Sequence, residues 1–112
     1  MKDGSLKLNN GLEMMGIISN DTKTKLGNDF YDLFYKEFTK LKIGAGKIVV
    51  IQEELTFGRT TKIMVIVEGE VIAEFITKPD EEYLQEAAEY SASEVFKYFK
   101  KLESQSKSIF QY

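Results

Sequence analysis

The stretch from Asn28 to Leu41, Asn-Asp-Phe-Tyr-Asp-Leu-Phe-Tyr-Lys-Glu-Phe-Thr-Lys-Leu, limits the possible folds more than any other part of the chain. Phe30, Leu33, Phe34, Phe38 and Leu41 recur at intervals of three and four. On a helix they form one apolar stripe, with Asp32, Lys36, Glu37 and Lys40 mainly outside it. Burying one phenylalanine removes about 150–250 Å² from water. Three on one helix face need a covering surface at least as wide as a small sheet, and the rest of the chain has to supply it.

Residues suited to that surface follow directly. Lys47 to Leu55, Thr60 to Val67 and Glu70 to Lys78 are rich in Val, Ile, Thr and Phe, which favours pleated structure. Glu68-Gly69 reads as a two-residue hairpin in which Gly69 supplies positive φ. The other join, Thr56-Phe57-Gly58-Arg59, is a hairpin whose tip carries an aromatic residue and the sequence's one arginine. Alternation sets Ile63, Val65 and Val67 with Val71, Ala73 and Phe75 on one face, expected to meet the helices. Met64, Ile66, Ile72 and Ile76 fall on the other, interrupted by Lys62 and Glu74. A three-stranded sheet with an apolar outer face and two open edges signals a partner.

Leu26 lies four residues before Phe30, so the first helix is expected to begin near Thr24, with its cap among the short polar residues Ser19 to Thr24. Gly27 then sits inside the helix at a cost of about 1 kcal/mol relative to alanine. A glycine at that position implies a close backbone approach. Gly44 or Gly46 is expected to close the helix. Pro79-Asp80-Glu81-Glu82 opens a second helix with acidic residues at its positive end. Leu84, Ala88, Val95, Phe99 and Leu102 mark its buried stripe, and Ala87, Ala88, Ser91, Ala92 and Ser93 permit close packing on the sheet.

Residues 1–11 read as a mobile lead-in and residues 104–112 as a flexible tail. Leu12 to Ile18 is a short apolar run, fit for an edge strand or a strap across the core. The expected fold is α+β: a single two-layer domain over residues 12–103, in α-β-β-β-α order, with a three-stranded antiparallel meander packed against two helices.

Function classes narrow by absence. The 112 residues contain no histidine and no cysteine, which removes imidazole bases and ligands, thiolate nucleophiles and disulfides. A formal net charge of −3 argues against nucleic acid or an anionic membrane as the main partner, and no apolar run approaches the roughly 20 residues of a membrane span. The opening Met1-Lys2-Asp3-Gly4-Ser5 carries no apolar signal core, so the expectation is a cytosolic chain or one that has lost a targeting segment.

Asp80, Glu82, Glu86 and Glu89 can share a helix face and form a metal site or an acid/base pair. The same carboxylates also serve as a solvated face at the positive end of the helix dipole. Gly44-Ala45-Gly46-Lys47 follows a helix and precedes a strand, the reverse of phosphate-loop order. Tyr31 and Tyr35, one turn apart beside the phenylalanine stripe, suit a core edge or a binding platform. No cofactor, metal or catalytic residue is expected. Protein binding or self-association is expected at Phe57, Gly58, Arg59, Met64, Ile66 and Tyr90. Two other readings stay open: a generic oligomeric binding domain, and a small hydrolase or lyase using paired carboxylates.

The segments Asn20-Asp21-Thr22 and Leu26-Gly27-Asn28-Asp29-Phe30-Tyr31-Asp32-Leu33-Phe34, then Ile48 to Glu53, the Phe57-Gly58 hairpin, Ile63 to Glu70 and Val71 to Ile76, resemble CsgE, the periplasmic accessory factor of curli secretion. The resemblance runs from about Leu12 to Phe99. Its most distinctive piece is Gly-x-Asp-Phe-Tyr-x-x-Phe at Gly27 to Phe34. It differs from the family in lacking a tryptophan where an aromatic precedes the hairpin glycine, and in its C-terminal tail. The resemblance implies a periplasmic non-enzyme that binds the curlin amyloid subunit CsgA, keeps it from polymerising, and forms a homo-oligomeric ring capping the outer-membrane channel CsgG. It implies neither nucleic-acid binding nor membrane insertion.

Overall fold

The computed structural model describes residues 17–42 and 46–110. Its elements are β1 (Ile17–Asp21), α1 (Lys25–Lys40), β2 (Ile48–Leu55), β3 (Thr61–Val67), β4 (Glu70–Ile76) and α2 (Glu81–Phe110). The expected two-layer α+β class holds, with one strand more than the sequence reading gives. The sheet has four strands in the order β1-β2-β3-β4, and β1 pairs parallel to β2 while the remaining pairs are antiparallel. Neighbouring parallel strands need a crossover, and α1 is that crossover. The edge strand offered for Leu12 to Ile18 overlaps β1 only at Ile17 and Ile18, and the rest escapes sequence reasoning because Ser19, Asn20 and Asp21 have turn chemistry and four of the five residues are exposed. Its pairing is a matter of backbone. The lead-in, the run before Ile17, Gly44 and the last two residues lie outside the described residues.

Two turns follow the rules of tight hairpins. Glu68 and Gly69 both take positive φ, 53° and 81°, as a two-residue primed turn requires, and Val67 pairs directly with Glu70. The register then slips between Val65, which pairs with Ala73, and Ile66, which pairs with Val71. Ile72 is therefore an extra residue in β4, and a bulge of this kind exchanges the faces of what lies beyond it. This corrects strict alternation at two positions: Ile72 packs against the core, whereas Val71 is 50% exposed.

Phe30, Phe34 and Phe38 are buried against Val49, Ile51, Ile63, Val65, Val67 and Ala73, with Leu84, Ala88, Ala92, Val95 and Phe99 completing the core from α2. Phe30 tilts onto Phe75 and Phe34 stacks on Phe38, with ring centroids 4.9 and 5.5 Å apart. Tyr31 stands at the edge of this core and stacks on the exposed Tyr35. Leu41, assigned to the same stripe from spacing, falls one residue past the helix and is exposed. The helix ends without the expected glycine. Leu41 and Lys42 N–H groups bond back to Phe38 and Thr39, and Lys42 takes the left-handed conformation at φ 52°.

At the start of α2, Asp80 Oδ1 accepts from the N–H groups of Glu82 and Tyr83, which makes it a capping residue. The α2 backbone is helical through Phe110, past Glu103 where a flexible tail is expected.

Phe34→Ala is expected to destabilise the fold by about 3–5 kcal/mol by opening a cavity under α1. Leu41→Ala should stay within about 0.5 kcal/mol. Urea denaturation of the two variants checks both.

Candidate functional surface

One end of the inner sheet face is polar. Glu53 follows Val49 and Ile51 in the alternation of β2, Thr61 begins the inward series of β3, and Thr77 lies just past β4. Glu53 is only 1% exposed. A bare carboxylate at that depth is costly, but four donors surround this one. Oε1 accepts from the N–H groups of Lys23 and Thr24 at 2.6 and 2.9 Å, and Oε2 accepts from the hydroxyls of Thr24 and Thr61, both at 2.6 Å. Thr61 leads on to Thr77, 3.1 Å between hydroxyls. Burial pushes the Glu53 carboxyl upward, but the hydrogen bonds from Thr24, Thr61 and the two backbone amides prevail and hold it below its ordinary value.

The same carboxylate explains the start of α1. Thr24 caps the helix by accepting from Gly27 N–H at 3.0 Å, yet no acidic residue lies in the first turn. Glu53 supplies the negative charge that favours this end of the helix dipole from across the chain. Glycine at position 27 leaves room for this carboxylate, since a Cβ there would press on Glu53 Oε1 and sit 3.0 Å from Thr22 Cβ. The close approach inferred from sequence is thus to a carboxylate. Asn20 completes the knot: its Oδ1 accepts from Thr22 N–H and its Nδ2 donates to Asn28. Asn20, Thr22, Gly27 and Asn28, which carry the resemblance, therefore share one hydrogen-bonded structure. Sequence reasoning passes over Glu53 itself. The signal is present, since alternation from Val49 and Ile51 turns this charged side chain to the core.

The knot secures the base of the β2–β3 hairpin. Beyond it, Thr56 N–H and Oγ1 both donate to Thr60 O, and Gly58 takes φ 78°. Phe57 at the tip is 100% exposed, and Gly58 and Arg59 beside it are exposed as well. Met64 and Ile66 lie together on the outer sheet face, Met64 buried but outside the core cluster and Ile66 half-buried. Ile48, Val71 and Ile76 are exposed. The hairpin end of that face is polar: Lys62 lies 3.4 Å from Glu54 and 3.6 Å from Glu74. Tyr90, 61% exposed, projects from α2 in the helical layer. The six residues expected to bind partners thus occupy three separate places: a hairpin tip, the outer sheet face and a helix.

Two of the four helical acidic residues, Asp80 and Glu89, have structural partners. Asp80 caps α2, and Gln85 Nε2 donates to both Glu37 and Glu89 at 2.8 Å, tying α1 to α2. Among the described residues no group of three or more acidic side chains is placed to hold a metal, and no helix is long and apolar enough to cross a membrane.

Fold and surface define a small α+β domain with an aromatic hairpin clamped at its base and exposed apolar side chains on its outer sheet face. The family model for CsgE, described as curli assembly protein CsgE, matches residues 14–110. The chain belongs to the CsgE family, which places it among the accessory factors of curli assembly. Comparison with curated proteins and with solved structures found no match.

Glu53→Gln is expected to destabilise the protein by about 1.5–3 kcal/mol, the worth of a hydrogen bond to a charged group. The depressed folded-state pKa means that the unfolded chain binds more protons as pH falls. The stability contributed by Glu53 is complete above its ordinary value of 4.5 and is lost as pH drops through the folded value. The gap between wild type and Glu53→Gln should therefore narrow below pH 4.5 in chemical melts. Gly27→Ala should cost about 1–3 kcal/mol by overpacking, although alanine is the better helix former.

Proposed function

We propose that this protein works without catalysis as a periplasmic accessory factor of curli secretion. It binds the curlin amyloid subunit, delays its polymerisation, and delivers or retains it at the outer-membrane channel as a reversible homo-oligomer. The observation that carries this reading is Phe57: a fully exposed aromatic on a hairpin whose base is fixed by Glu53 and Thr61. An aromatic there contributes little to its own core. At an interface it can be an anchor whose truncation costs about 2 kcal/mol or more. The apolar outer face around Ile66 and Val71 adds a second adhesive surface, and an amyloidogenic chain is itself held through strand edges and apolar side chains.

Substoichiometric protein is expected to lengthen the lag of curlin polymerisation followed by thioflavin fluorescence. An unchanged lag at equimolar protein contradicts the reading. Phe57→Ala should keep its melting temperature while self-association, measured by sedimentation velocity, or channel binding weakens at least tenfold. A variant that unfolds yet still associates would make the hairpin tip a core element.

A further inference from the structure

Strand register sorts the outer sheet face into two halves. Gln52, Met64 and Glu74 form one row across the sheet, and Glu54, Lys62 and Ile76 the next, so the half nearer the Phe57 hairpin is largely polar. The other half is apolar. Ile17 pairs with Ile48, and Val50, Ile66 and Val71 form the row beside them. Ile17, Ile48 and Val71 are exposed and Val50 and Ile66 half-buried, while α1 and α2 pack into the core on the opposite face. The chain enters the sheet at this apolar end. Ile17 N–H donates to Lys47 O, β2 begins at Ile48, and Gly46, at φ 66°, turns the neighbouring backbone out of the ladder. Upstream of Ile17, β2 thus offers no further partner.

We infer that Leu12-Glu13-Met14-Met15-Gly16 folds back as a strap across this apolar end, docking Leu12 and Met14 on the outer face. The point of arrival and the reach of the segment select this occupant. Three strand spacings separate β1 from β4, about 14 Å, and five extended residues span about 16 Å. The apolar run before β1 has that length, so Met14 comes over the middle strands and Leu12 reaches Val71. Alternate residues of an extended segment share a side, which turns Glu13 to water. Gly16 has no Cβ to obstruct the reversal. A second copy competes poorly. The five residues Ile17, Ile48, Val50, Ile66 and Val71 fall well short of the roughly 20–30 a side in a stable interface. A tethered segment, by contrast, acts at an effective concentration of about millimolar. The strap deepens the proposed function and rests on it for the use of the face: it screens the adhesive surface around Ile66 and Val71 until the secreted subunit displaces it.

The chain has no cysteine, so Glu13→Cys carries a single nitroxide on the outward side of the strap. In the ¹⁵N-labelled full chain this label is expected to broaden the amides of Val50, Ile66 and Val71 and to spare those of Arg59 and Glu81 at the far end of the sheet. Spin-labelled ¹⁴N chain mixed with unlabelled ¹⁵N chain should give no broadening at the face, because the contact lies within one molecule. Adding Leu12→Asp and Met14→Asp should remove the broadening and raise the fluorescence of added anilinonaphthalene sulfonate several-fold, while the core amides keep their positions. Val71→Asp, at an exposed position outside the core cluster, should release the strap from the other side.

No broadening at the face, broadening at α2 near Leu102 in its place, or dye fluorescence unchanged by the two aspartates overturns the proposal. So does broadening in the mixed sample, which would assign the face to a second copy. With the strap released, the aspartate variant should lengthen the curlin lag at a lower concentration than wild type, and equal potency overturns the screening role. If wild type lengthens the lag but the label reports from elsewhere, the strap fails alone. If the label reports from the face but wild type leaves the lag unchanged, the accessory-factor reading fails alone.

Discussion

A buried carboxylate organises this small domain. Glu53 takes two backbone N–H groups from the segment entering α1, one hydroxyl from its cap and one from β3. These donors come from two places far apart in sequence, Lys23-Thr24 and Thr61. The β1–α1 turn, the helix start and the hairpin base are therefore fixed relative to one another by a single side chain. No cation is involved in these four bonds. The charge is stabilised by oriented dipoles, which makes the arrangement sensitive to geometry: a displaced donor leaves the carboxylate uncompensated.

The consequence for the proposed function is mechanical. A hairpin with an exposed phenylalanine at its tip would ordinarily lose conformational freedom on binding, and that loss subtracts from affinity. Fixing the hairpin's base through Thr61 and Glu53, and cross-bonding Thr56 to Thr60 above it, removes part of that cost in advance. The sheet divides labour in the same way. Its inner face is committed to the three phenylalanines of α1, while its outer face keeps Ile48, Val71 and Ile76 exposed. Membership in the curli assembly family gives these surfaces a context, and the proposed handling of an aggregation-prone chain would use apolar contacts and strand edges outside the core.

Much of this was legible in the sequence, for physical reasons that vary by element. The phenylalanine stripe, the Glu68-Gly69 turn and the acidic opening of α2 depend on local spacing and local backbone preference, and the structure has all three. The close approach at Gly27 was legible as a departure from helix propensity, though its partner, 26 positions along the chain, was not. Where tertiary pairing decides, local reading fails. The strand β1 has turn-like residues and is held by a parallel neighbour, Val71 and Ile72 exchange faces through a bulge, and Lys42 takes the left-handed conformation expected of a glycine. The candidate surface divides similarly. The hairpin tip announces Phe57 by its position alone, whereas the apolar end of the outer face exists only once β1 pairs with β2 and sets Ile17 beside Ile48.

The central claim is that the Glu53 carboxylate holds the entry to α1 as firmly as the core holds the sheet. Native-state amide hydrogen exchange at neutral pH measures this directly. Lys23 lies in the exposed link between β1 and α1, where an unbonded N–H would exchange almost freely. The account predicts that the N–H groups of Lys23 and Thr24 exchange only by global unfolding, at the protection of Ile51 and Val65. Fast exchange at these two amides while the sheet stays protected would contradict it.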